Sequence, residues 1–168
     1  MRMSSLLVAA LLLTSASARA DLCDGKEPGS VSFYKAEVTR DAALPPAVTE
    51  FSGSDSMFML MCLTDSVGPQ KSTGKKFRVD LYVDRKQTAL TRPQLSKPRK
   101  DIIIELKDSF RDAMKDVASG KHELRFQAVK ETENGKKETE INLDSGHVTT
   151  QQLRSAGYVA DGKITLTK

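Results

Sequence analysis

Met57, Met59 and Met61 recur at alternate positions, and this is the chain's most distinctive chemical grouping. Side chains at i, i+2 and i+4 of a β-strand share one face. Three aligned thioethers would suit Cu(I), which prefers soft sulfur. With His122 as a further ligand, the set would describe a periplasmic soft-metal (copper) binding protein. Methionine also fills irregular gaps in apolar cores. The interleaved residues here are Phe58 and Leu60, and neither histidine lies near in sequence. Core packing or an apolar contact face is therefore the primary reading, and a metal face the alternative.

The other reactive residue types are sparse. His122 stands at the start of an alternating stretch beside Gly120, the setting of a hydrogen-bonded rim histidine. His147 lies in a Ser-Gly-His turn. There is no H-E-x-x-H or H-x-x-E-H pattern, no closed set of cysteine ligands, no G-x-S-x-G elbow and no P-loop. A non-catalytic protein without a cofactor is the expectation.

Charge is more informative than catalytic chemistry. Residues 66–100 hold ten Lys/Arg against two Asp. Within that stretch Arg92, Lys97, Arg99 and Lys100 crowd a Pro-containing segment, with Lys71, Lys75 and Lys76 upstream. Such a surface fits a partner carrying negative charge, an envelope protein or an anionic surface polymer. It could equally be a solvated loop that keeps an edge strand from pairing. Tyr82 is the aromatic placed by alternation on the outward face of its strand. Six Phe, three Tyr and no Trp are few aromatics for stacking bases. With the expected export and the small net charge of the remaining chain, they argue against nucleic acid.

Those groups need elements to position them. Residues 1–20 read as a secretory signal: Arg2, an apolar run from Leu6 to Leu13, and Ala18-Arg19-Ala20 as a cleavage site. No later stretch is apolar enough to span a membrane. The expectation is an exported, soluble, periplasmic or cell-surface domain over residues 21–168, with 144–168 as its C-terminal extension. Export and two cysteines predict a Cys23–Cys62 disulfide. That bridge fits if the first strand runs antiparallel to the methionine strand.

Met57 to Leu63 is apolar on both strand faces, which predicts a central buried strand. A first strand over 30–39 changes parity midway and suggests a bulge or an edge. Residues 47–51 read as a short extended piece. Lys76–Val83 alternates, with Phe77, Val79, Leu81 and Val83 inward and Arg78, Asp80 and Tyr82 outward. Strands follow at 87–91, 101–107 and 121–130, with a helix over 108–118 stopped at Gly120. Asn134-Gly135 predicts a hairpin into a strand over 138–143. Residues 149–155 read as a short helix, and Asp161-Gly162 as a turn into a last strand over 163–167.

This pattern is mainly β, an antiparallel β-sandwich of about seven or eight strands with one or two short helices. Phe77-Arg78-Val79-Asp80-Leu81-Tyr82-Val83-Asp84 resembles the middle strand of bacterial immunoglobulin-like surface modules. Gly120-Lys121-His122-Glu123-Leu124-Arg125-Phe126 resembles their late G-K-H-x-L-x-V strand. The resemblance covers roughly residues 57–143 and implies an immunoglobulin-like sandwich, not a function. These modules carry Gly after the Val-Asp pair, where this chain has Arg85.

Overall fold

The computed structural model describes residues 21–68, 76–131 and 158–168. The expected signal, Lys71, Lys75, His147, the Asn134-Gly135 hairpin with its following strand, and the 149–155 helix lie outside the described residues. In chain order the elements are β1 (Ser30–Tyr34), β2 (Glu50–Ser52), β3 (Phe58–Val67), β4 (Lys76–Val83), β5 (Lys86–Thr91) and β6 (Arg99–Glu105). After these come α1 (Asp108–Met114), β7 (Lys121–Glu131) and β8 (Tyr158–Thr167). The protein is mainly β. The described strands form one sheet in the order β5-β4-β7-β8-β1-β3-β6, with β2 paired to β8.

The sheet is mixed rather than purely antiparallel. Both β1 and β2 run parallel to β8, while the other pairs are antiparallel. The reason lies in β8, which is longer than the turn chemistry of Asp161-Gly162 implies. No turn forms there: Gly162 sits inside the strand opposite Phe126. A Cβ on Gly162 would stand 2.4 Å from the Val31 Cβ. The glycine is needed for the close approach of β1 and β8, not for a turn.

β1 is neither bulged nor an edge. It lies between β8 and β3 and pairs with β3 without interruption from Ser30↔Cys62 to Tyr34↔Phe58. The parity change arises because both of its faces are buried. Phe33 joins one apolar cluster and Tyr34 the other.

Those two clusters divide β3. Met57, Met59, Met61 and Leu63 enter the main core, which also holds Val79 and Leu81 of β4, Phe126 of β7 and Ile164 of β8. Residues from both ends of the strand order meet in it, so the sheet curls and its halves face each other. Phe126 stacks at a tilt on Phe33 at 5.5 Å between ring centroids, and on Phe110 of α1 at 6.4 Å. On the opposite face of β3, Phe58, Leu60 and Cys62 pack with Tyr34 and Val38, and Leu22, Cys23 and Leu44 close over them.

The Cys23–Cys62 disulfide forms, with 5.6 Å between Cα atoms. It staples the N-terminal segment across the Phe58 face. Closing a loop of 39 residues stabilises the fold by about 4 kcal/mol on the chain-entropy account. The methionine face needs no such cover, because the curled sheet buries it.

Candidate functional site

The basic segment joins the two outermost strands of the sheet, β5 and β6. Pro93 lacks an N–H and ends β5 after Thr91, and Pro98 excludes pairing until Arg99. Between them the chain is held by Leu95, which packs half-buried against the main core. Arg92, Lys97 and Lys100 are exposed, and Arg99 is half-buried. Arg99 reaches the Asp101 carboxylate at 3.7 Å. The same carboxylate pairs with Arg40, whose guanidinium also donates to the Asp101 carbonyl at 3.1 Å. Lys97 and Lys100 make no ion pair with any described residue. The Asp101 carboxylate thus answers two arginines, and Asp21 also acts on Arg40. Arg40 belongs to this patch although 61 positions separate it from Asp101, a distance no sequence periodicity spans.

Tyr82 does not extend the basic surface. It faces away from the main core, as alternation implies, but is only 6% exposed, so it offers no stacking platform. Its neighbours on that face are also closed off. Arg78, Asp80, Arg125 and Gln127 are all buried, Asp80 and Gln127 completely. Arg78 Nε lies 2.8 Å from Asp80 Oδ1. Arg125 donates to both oxygens of Asp161, at 2.7 and 2.8 Å. The Gln127 amide finds no hydrogen-bond partner among the described residues.

The structure brings Met57, Met59 and Met61 together on one face, but not with His122. Met59 and Met61 are fully buried. Beside Met59 lies a cavity of about 40 Å³ walled by Val79, Leu81, Leu106, Phe110 and Phe126. Its lining is apolar apart from Thr91, and its volume is close to that of one water.

His122 instead stands at the start of β7, at the end of an open cleft of about 860 Å³ between β5 and α1. Its Nδ1 lies 2.7 Å from Asp84 Oδ2 and its Nε2 2.9 Å from the Ala118 carbonyl. Both partners accept hydrogen bonds, so the protonated ring, donating from both nitrogens, satisfies both at once. The Asp84 hydrogen bond is the main cause raising the histidine's pKa above its ordinary value, followed by the Ala118 carbonyl. The same bond lowers that of Asp84. Held at both nitrogens, the ring ties the β4–β5 turn to the segment after α1.

The turn explains the motif. Asp84 and Arg85 have φ of 46° and 72°, so both central residues of a two-residue hairpin are left-handed. Asp84 tolerates this and is locked by accepting the Glu123 N–H at 3.0 Å. Arg85 occupies the position where glycine is sterically at home. Among the described residues no three His, Cys, Asp or Glu side chains cluster as a metal site. No helix among them is long and apolar enough to cross a membrane. Compared with models of known protein families, with characterised proteins and with solved structures, the chain finds no match in any of the three.

Proposed function

We propose that this chain is an exported, non-catalytic binding module of the cell envelope that contacts an anionic surface polymer or an acidic partner protein through residues 92–100. The observation that carries the reading is the exposure of Lys97 and Lys100, unpaired with any described acid, beside Arg92 and the Arg99–Arg40 pair. A segment pinned at Leu95 and bounded by two prolines loses little conformational freedom on binding, which favours contact. The immunoglobulin-like sandwich belongs to this proposal. The facing halves of the curled sheet and the Val83-Asp84 hairpin support it.

The test replaces Arg92, Lys97, Arg99 and Lys100 together by Gln and measures retention on a heparin matrix. The wild-type chain should be retained and released by rising salt, because exposed charges are screened. The variant should elute at or near starting salt. Equal retention of the two proteins would overturn the proposal.

A further inference from the structure

We propose that His122 is a pH-sensitive latch at the end of the cleft between β5 and α1. The protonated ring holds Ala118 to the β4–β5 turn, and the neutral ring keeps Asp84 and releases Ala118. The half-buried ring stands between two elements and makes one hydrogen bond to each. It lines two surface hollows, the cleft of about 860 Å³ and a smaller one of about 340 Å³ that Lys121, Lys163 and Thr165 also wall. A change in what this ring holds therefore acts on both.

The two bonds do not respond alike to loss of a proton. A neutral imidazole carries one N–H and one lone pair. A carboxylate is a stronger acceptor than a carbonyl, so the remaining N–H stays at Nδ1, facing Asp84 Oδ2. Asp84 is itself fixed, because its other oxygen accepts the Glu123 N–H and its own N–H donates to the Glu123 carbonyl, each at 3.0 Å. The opposite tautomer would set the Nδ1 lone pair against a carboxylate oxygen 2.7 Å away. In the favoured tautomer the Nε2 lone pair meets the Ala118 carbonyl oxygen at 2.9 Å. Two acceptors at that distance repel, and the carbonyl turns away.

The stretch that gives way is short. Lys168 Nζ donates to the carbonyls of Met114, Lys115 and Val117, and the Lys168 backbone exchanges both of its bonds with Gly120. The end of α1 and the start of β7 stay in place, which leaves Ala118 and Ser119, both exposed, to move. Gly120 beside them has φ of 138°, a region that other residues rarely adopt, and it can take up the rotation. The charged groups around the ring are Asp84 and Lys86 of the hairpin, and Asp112 and Asp116 of α1. Lys121 and Glu123 flank it on β7, with Lys163 on β8 and Lys168 just after it. The Asp84 bond, then the Ala118 carbonyl, raise the histidine's pKa, while burial and Lys168 pull it down. The net shift is upward, so the latch lets go above the ordinary 6.5.

The experiment follows ring and backbone together by heteronuclear NMR of residues 21–168 from about pH 5 to about pH 9, the range in which histidine titrates. In wild type the ring should pass from two protonated nitrogens to one, at Nδ1. The Ser119 amide, whose peptide group includes the Ala118 carbonyl, should shift with the same midpoint and lose backbone order above it. Glu123, held by Asp84, should keep its order throughout. His122→Gln should abolish the Ser119 transition while the spectrum elsewhere shows an intact fold. Asp84→Asn keeps a residue suited to the left-handed turn and should lower the midpoints of ring and Ser119 together. A Ser119 that keeps its backbone order through the ring's titration would overturn the proposal. So would a neutral ring protonated at Nε2, or ring and Ser119 midpoints that separate in Asp84→Asn.

Discussion

β3 and β7 are both buried on both faces, yet they reach that state by opposite chemistry. β3 is apolar on each side, with methionines toward the main core and Phe58, Leu60 and Cys62 toward the second cluster. β7 sends Leu124, Phe126 and Ala128 into the main core, while Arg125 and Gln127 on its other face are buried as well. A doubly apolar strand announces its burial. An alternating strand declares only the chemistry of its two faces, not whether the polar one meets water. Burial of that polar face is tolerable because its charges are paired, Arg78 with Asp80 and Arg125 with Asp161.

The contrast predicts unequal responses to mutation. Asp80→Ala leaves Arg78 buried without this carboxylate and should cost about 3–5 kcal/mol in denaturant unfolding. The double change Arg78→Met with Asp80→Leu should cost much less than Asp80→Ala alone. Equal losses would mean that the ion pair is not what makes this face tolerable. On β3, Met59→Ala should cost about 2–5 kcal/mol by opening a cavity, while Met59→Leu should cost under about 1.5 kcal/mol. A large loss from Met59→Leu would show that the thioether has a role beyond its volume.

The smallest effect concerns the His122–Asp84 tie, and its sign follows from the two shifts. A histidine raised above its ordinary 6.5 contributes fully below that value and loses the contribution as pH rises through its folded pKa. An aspartate lowered below 3.8 contributes fully above that value and loses the contribution as pH falls through its folded pKa. The pair therefore stabilises most between about pH 4 and 6.5. The melting-temperature difference between wild type and His122→Gln should be greatest in that window and shrink above neutrality. A difference that grows toward alkaline pH would mean that the ring is held neutral.

Much of the fold was legible, because burial of the methionine strand, the alternation of 76–83 and the helical spacing after Asp108 are local patterns. The disulfide followed from the expected export and the cysteine number. Three features were not. Gly162 looks like a turn residue because glycine serves both turns and close strand approach, and only the proximity of Val31 decides which. Tyr82 looked exposed because parity assigns a face without saying what lies over it. Arg40 gave no sign of joining the basic segment, since only the tertiary fold carries it to Asp101. Of the candidate binding residues, Arg92, Lys97 and Lys100 are exposed and Arg99 is half-buried, in the connection between β5 and β6 or at the start of β6.

The most direct measurement is an amide-resolved NMR titration of residues 21–168 with a heparin oligosaccharide at low salt. The largest shifts should fall on residues 92–100 and on Arg40, leaving Met57–Met61 and His122 unmoved. Shifts centred on the His122 cleft, or none at saturating oligosaccharide, would contradict a binding surface at the basic segment.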